Sequence, residues 1–197
     1  MTDSIQPETI STVLGPFGPL DNVRANWPLI ERALDRFELS SLPTKIAAIA
    51  TVAVETGRFS PIRERGGPTY FTKLYEGRAD LGNTETGDGA RFYGRGYIQI
   101  TGRGNYTDYG RELGVDLVAT PDLALDPTVG AEVLALFFRD KKISPLADAG
   151  KWEAVRRRVN GGLNGWDRFS AYVDGLAKLL MIPAAATAGV IGGDVQT

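Results

Sequence analysis

The chain has 197 residues, 43% of them apolar and 23% charged, with a formal net charge of −2 and neither histidine nor cysteine. One sizeable core fits this length, whereas two ordinary domains plus a linker do not. Without imidazole or thiol, a Ser-His-Asp triad, a cysteine nucleophile and an ordinary zinc site are excluded, and the weak charge offers no field for nucleic acid or an anionic membrane. Residues Met1–Ser4 contain no basic stretch leading into an apolar run, so no secretory signal is expected. In chain order, a short helix is predicted over Thr9–Leu14, ending at Gly15-Pro16, where proline cannot continue it. Asn22 is expected to cap a second helix carrying Leu29, Ile30, Ala33, Leu34 and Phe37 at helical spacing. A third helix, Thr44–Thr56, is apolar on nearly every side and closes at Gly57, which suits the left-handed position after a helix. Such a helix belongs in the centre of a domain.

Further helices are predicted over Thr69–Tyr75, Gly104–Leu113, Asp126–Lys141, Trp152–Val159 and Trp166–Leu180. The glycine-rich stretch from Gly77 to Gly96 reads as a long ordered loop lining a cleft, and Tyr97–Ile100 is the best strand candidate. The Ala-rich run Met181–Val190 contains Pro183 and Gly189 and is about half the length of a bilayer span. The expected organisation is one mainly α domain over residues 1–182 and a tail or linker over 183–197.

With no histidine, carboxylates must carry the acid/base chemistry near neutral pH. Glu55, in the last turn of the apolar helix, faces desolvation and the negative end of the helix dipole, and both favour its protonated form. A protonated carboxyl is what protonation of a glycosidic oxygen requires. The partner is a carboxylate that stays ionised and activates water: Glu64, between Arg63 and Arg65, or Glu76, two residues before Arg78. Gln99 and Thr101 would project to one face of the short strand, where a hydroxyl can hold water and an amide can bind an N-acetyl group. Tyr93, Tyr97, Tyr106 and Trp166 can stack on sugar rings or fill the core, and Asn160 can bind sugar or cap a turn. The oxygen-bearing residues Asp80, Asn83, Glu85 and Asp88 do not match calcium-loop spacing, and no metal or other cofactor is expected. Arg156-Arg157-Arg158 with Lys151 reads as a solvated helix face that at most favours anionic muramyl groups.

These residues resemble glycoside hydrolase family 19, the chitinase family that also supplies cell-wall-degrading endolysins to bacteriophages. The markers are Glu55-Thr56-Gly57, Tyr75-Glu76-Gly77-Arg78 with Asp80-Leu81-Gly82-Asn83, Gly87-Asp88-Gly89, the run from Arg91 to Arg103, Asn105-Tyr106, Leu113-Gly114-Val115-Asp116-Leu117 and Asn160-Gly161-Gly162-Leu163. They span about Thr44 to Leu180; the first 40 residues carry no resemblance. The resemblance implies a lysozyme-like bilobal helical fold with a glycan-binding cleft and inverting hydrolysis of β-1,4 bonds between N-acetylated sugars. It places the general acid on Glu55, the base on Glu64 with Glu76 as the longer-loop alternative, the water-holding hydroxyl on Thr101, and sugar-binding positions on Gln99, Asn105, Asn160 and Arg168. Two departures stand out: Val54 replaces the usual histidine before the acid, and Asn164 the glutamate often found after Asn-Gly-Gly-Leu.

A peptidoglycan-cleaving phage endolysin is therefore expected, monomeric, with further lysin modules as an option. It would be made in the host cytoplasm and act on the bacterial wall after holin-type release. A bacterial chitinase is the alternative enzyme, and an inactive wall-glycan-binding domain the alternative from another class.

Overall fold

A computed structural model describes residues 4–180. The expected tail, 183–197, lies outside the described residues. Ten α-helices follow one another: α1 (Pro7–Leu14), α2 (Leu20–Arg36), α3 (Leu42–Thr56), α4 (Pro68–Tyr75), α5 (Asp88–Arg91), α6 (Arg103–Leu113), α7 (Pro127–Asp140), α8 (Ile143–Asp148), α9 (Trp152–Asn160) and α10 (Trp166–Leu180). Among the described residues, one two-stranded antiparallel ladder pairs β1 (Ile62–Arg63) with β2 (Arg95–Gly96).

The centre is α3, as its composition requires. Ser41 caps it by accepting from the Thr44 amide, every residue from Thr44 to Ala53 is buried, and Gly57 leaves it with φ 70°. Its many alanines let neighbours approach closely: α10, α8, α9 and α2 all pack on it. Burying Ile46, Ile49 and Val52 contributes about 1.5–3 kcal/mol each. The buried Lys45 ammonium lies 3.0 Å from Glu31 and 3.2 Å from Asp35, joining α3 to α2. Glu31 also accepts from the Ser4 hydroxyl and so holds the start of the described chain.

Together α1–α3 and α7–α10 make one lobe. The other comprises β1, α4, α5, β2 and α6, joined to the first where α6 and the 3-10 turn Pro121–Leu125 meet α7. Asp126 fixes the start of α7 by accepting from Thr128 (2.9 Å) and Val129 (3.1 Å), ahead of Pro127 at the first helical position.

Two local expectations are corrected. Asn22 does not cap α2, which begins after Pro19; it sits in the first turn and donates to the Arg58 carbonyl at 2.7 Å, tying α2 to the loop after α3. Tyr97–Ile100 is not a strand. Arg95 and Ile100 exchange backbone hydrogen bonds (3.1 and 3.3 Å) around a tight turn, and Gln99 lies in the left-handed region at φ 53°. The strand residues are Arg95 and Gly96, whose partners lie more than thirty residues upstream and leave no local periodicity to read.

Candidate active site

Two hydrogen-bonded clusters hold the predicted carboxylates, and among the described residues no hydrogen bond joins one cluster to the other. The first is built on the C-terminal turn of α3. Glu55 Oε1 accepts from Arg156 Nη1 at 2.5 Å, while Oε2 has no partner among the described residues. The Arg156 side chain is 2% exposed and that of Glu55 18%. Arg156 reaches Glu55 from α9, and its Nε and Nη2 donate to the Asn164 carbonyl in the loop between α9 and α10.

Gly165 closes this arrangement. With φ 74° it adopts a conformation that favours glycine, and a Cβ there would lie 2.8 Å from Val54 Cγ1 and 3.4 Å from Arg156 Nη2. Val54 thus forms the apolar wall on which the loop seats beside Glu55. Asn160 ends α9 and accepts weakly from Asn164 Nδ2 (3.4 Å), so it belongs to this cluster.

Arg156 corrects the reading of the three arginines as a solvated face. A signal was present, because Trp152, Arg156 and Val159 share one helical stripe that packs inward. Arg156 also sets a cation beside Glu55 that opposes the desolvation and helix-dipole effects expected from the sequence.

The second cluster surrounds Glu64. Its Oε1 accepts from the Tyr75 hydroxyl at 2.8 Å and its Oε2 from the Gly94 amide at 3.0 Å. Burial, and then the Glu64 carboxylate itself, push the Tyr75 phenol well above its usual range, so it remains a donor. The flanking arginines do not do what the sequence suggested. Arg63 pairs with Asp122 at 2.5 Å, and Arg65 makes no ion pair among the described residues. Gly94 permits the close approach of the groups beyond it: a Cβ would lie 3.0 Å from Gln99 Oε1 and 3.1 Å from Glu64 Oε2.

Gln99 joins this cluster, but by way of a turn. Its amide nitrogen donates to the Ile62 and Gly96 carbonyls, both at 2.9 Å, which leaves Oε1 facing Gly94. Thr101 donates to the Gln99 carbonyl at 3.1 Å, and Asn105 donates to the Thr101 carbonyl at 2.7 Å. Glu64, Gln99, Thr101 and Asn105 are therefore brought into one neighbourhood, with Tyr75 as a member that the sequence reading did not single out.

Glu76 is placed differently. Its two oxygens accept from the Gly87 (2.7 Å) and Gly89 (2.8 Å) amides, so the carboxylate ties down the loop that leads into α5. Arg78 turns away from it to Asp80 at 2.6 Å. Next along, buried Asp88 makes a forked pair with Arg103, whose guanidinium holds the Asp88 carboxyl below the usual carboxylate range. The carboxylates of this glycine-rich segment are engaged in fixing its path.

Three aromatic expectations are also resolved. Tyr93 stacks on Phe71 (4.2 Å, 6°) and holds the Arg95 guanidinium 3.8 Å from its ring centre. Two groups that close over one ring centre must take opposite faces, so neither face is open to a sugar. Tyr97 and Tyr106 are fully buried; Tyr97 donates to Asn26 at 2.5 Å, and burial pushes the Tyr106 phenol up to about 12. Arg168 is exposed on α10 with its guanidinium 5.0 Å from the Phe17 ring centre, and no hydrogen bond ties it to either cluster among the described residues.

The sequence model of glycoside hydrolase family 19, described as chitinase class I, matches residues 57–164. That span contains Glu64, Glu76, Thr101, Asn105 and Asn160, and begins two residues after Glu55. A family 19 domain-containing protein of Haemophilus influenzae is 36% identical over 104 residues, which is 53% of this chain and 50% of that protein. An endochitinase of Arabidopsis thaliana is 39% identical over 103 residues, 48% of this chain and 36% of that one. This chain thus spans at most about half the length of these relatives. Among solved structures, a bacterial family 19 chitinase superposes with a TM-score of 0.66 at 17% identity, covering 92% of this chain and 97% of the other. Chitinase C from Streptomyces griseus gives 0.67 at 18%, covering 92% and 78%. At these identities the structural likeness speaks for the fold, a mainly α lysozyme-like architecture. With the sequence match covering more than half of its residues, the chain belongs to glycoside hydrolase family 19, a family of glycosidases.

Proposed function

We propose that this chain hydrolyses β-1,4 bonds in the glycan strands of bacterial peptidoglycan, with inversion, as the glycan-cleaving part of a phage endolysin. One observation carries the chemistry. Glu55 and Glu64 are held in separate clusters by different donors, Arg156 for one and Tyr75 with the Gly94 amide for the other. Two carboxyls held apart by different donors can divide the acid and base roles, with Glu55 taking up its proton against the Arg156 cation once a bound glycan covers it.

In this mechanism Glu55 is anchored through Oε1, and Oε2 carries the proton to the departing glycosidic oxygen. Glu64 takes a proton from water that attacks the anomeric carbon on the opposite face, and the Thr101 hydroxyl holds that water. After the step Glu55 is ionised and Glu64 protonated, and exchange with solvent restores both. Tyr75 and Gly94 each occupy one lone pair of a Glu64 oxygen, leaving others for the water.

Support for a wall substrate comes from the cysteine-free composition, which lets the chain fold in a reducing cytosol before it meets the wall. A chitinase is the second reading, favoured by the names of the Arabidopsis and Streptomyces proteins. Purified walls and chitin oligosaccharides are to be digested in parallel and the products analysed by mass spectrometry and by NMR of the first-formed anomer. Muropeptide products born as the α-anomer are expected. Release from chitin alone would establish the chitinase reading, and release from neither substrate would leave a binding domain.

A further inference from the structure

A concavity of about 440 Å³ lies where the N-terminal ends of α9 and α10 meet, walled by Trp152 and Trp166, with Lys151 and Glu153 at its edge. Its size falls in the range of about 300–1,000 Å³ found for small-ligand pockets. Both indoles are only partly buried, and neither Nε1–H has a hydrogen-bond partner among the described residues. The remaining tryptophan, Trp27, behaves as a core indole does: it is fully buried and donates to the Ile5 carbonyl at 2.9 Å. Two indoles with open donors in one concavity offer what an amphipathic pyranose ring needs, an apolar face beside a hydrogen-bond donor.

The charges at the edge narrow the choice of sugar. Glu153 inclines to Arg157 at 3.9 Å, whereas exposed Lys151 makes no ion pair among the described residues. Exposed Asp167 beside Trp166 balances the overall charge, so it is the uncommitted Lys151 ammonium, not a cationic field, that can meet a carboxylate substituent of a sugar. Both tryptophans are close along the chain to members of the Glu55 cluster. Trp152 is one helical turn, roughly 6 Å, from Arg156, and Trp166 directly follows Gly165, which packs on Val54 and Arg156.

We infer that the Trp152–Trp166 concavity is a subsite for an N-acetylmuramyl unit of the strand being cleaved, with Lys151 on a stem-peptide carboxylate, or on the lactyl carboxylate where the unit carries no peptide. This rests on the proposed glycan hydrolysis and adds a residue-level reason for preferring peptidoglycan to chitin.

The test is a titration of intrinsic fluorescence in a Glu55→Gln background, where nothing is cleaved. The probes are the peptide-free disaccharide of N-acetylglucosamine and N-acetylmuramic acid, its peptide-bearing form, and chitobiose. Both muramyl ligands should change the indole emission and bind more tightly than chitobiose. Lys151→Gln should weaken them about fivefold while leaving chitobiose unchanged, and Trp152→Ala should weaken all three by about tenfold or more. Whichever muramyl form responds more to Lys151→Gln identifies the carboxylate. Equal affinity for chitobiose, or no change of emission with any probe, overturns the inference. Wall digestion by the unsubstituted protein is run alongside: cleavage without this binding removes the subsite alone, whereas binding without cleavage removes the hydrolase reading.

Discussion

Arg156→Met tests how Glu55, the proposed acid, is held. The guanidinium is 2% exposed and makes every hydrogen bond that Glu55 and the Asn164 carbonyl receive from α9. Removing one member of a buried ion pair costs about 3–5 kcal/mol when the survivor stays dry. Glu55 keeps 18% of its side-chain surface open to water, so the lower end or less applies to the pair. Stranding the Asn164 carbonyl adds about 1–3 kcal/mol, while methionine fills much of the arginine stem volume. A net loss of about 3 kcal/mol corresponds to a fall in Tm of about 6–12 °C for a chain of this size. Turnover should fall by about ten- to a hundredfold, because Glu55 loses the one bond that orients it. Arg156→Lys should sit between, since an ammonium retains the charge but cannot fork to Asn164 and Glu55 as one rigid plane. Differential scanning calorimetry and wall turbidity provide the two readings. A methionine variant with Tm within about 2 °C of the parent and undiminished turnover would refute this account of the acid.

Other expectations concern the base cluster and the loop. Glu64→Gln should lose at least about tenfold more turnover than Glu76→Gln, whereas Glu76→Gln should chiefly lower Tm, because Glu76 holds the Gly87 and Gly89 amides; equal, mild losses in both would mean that neither is the base. Tyr75→Phe removes the hydroxyl on Glu64 Oε1 and should lower kcat by about three- to tenfold with little change in KM; an unchanged kcat would assign Tyr75 to packing alone. For Asp88, the folded-state pKa is depressed by Arg103, so its contribution to stability is present above the unfolded value near 3.8 and lost as pH falls through the lower folded value. Acid unfolding followed by circular dichroism should therefore show Asp88→Asn less stable than the parent at neutral pH, with the gap closing below about pH 4. A gap that stays constant down to pH 2 would contradict the Asp88–Arg103 assignment.

The helices were legible because their signals are local. The period of α2, the all-round apolarity of α3, Gly57 as a cap and Asp126 before Pro127 each act within a few residues. The short elements were not. Helices α5 and α8 have four and six residues, too few for a period to emerge, and the two-residue strands are defined by pairing across more than thirty positions. At the site, Glu55 and Glu64 could be singled out from residue type and spacing, but their partners could not. Arg156 lies 101 residues from Glu55, and Tyr75 lies 11 residues from Glu64, at the far end of α4. Arginines adjacent in sequence to Glu64 and Glu76 suggested ion pairs that the fold gives instead to Asp122 and Asp80. Neighbours along a chain compete with every group that the fold brings near, and a charge pair cannot be read from adjacency.

Hydrolysis by the proposed route depends on the proton carried by Glu55 Oε2. The most direct measurement is release of reducing ends from purified peptidoglycan by Glu55→Gln, with circular dichroism and Tm recorded on the same sample. The glutamine keeps the shape and can still accept from Arg156, so the fold should persist while release falls to background. A variant that retains its Tm and cleaves at near the parent rate would show that the acid lies elsewhere.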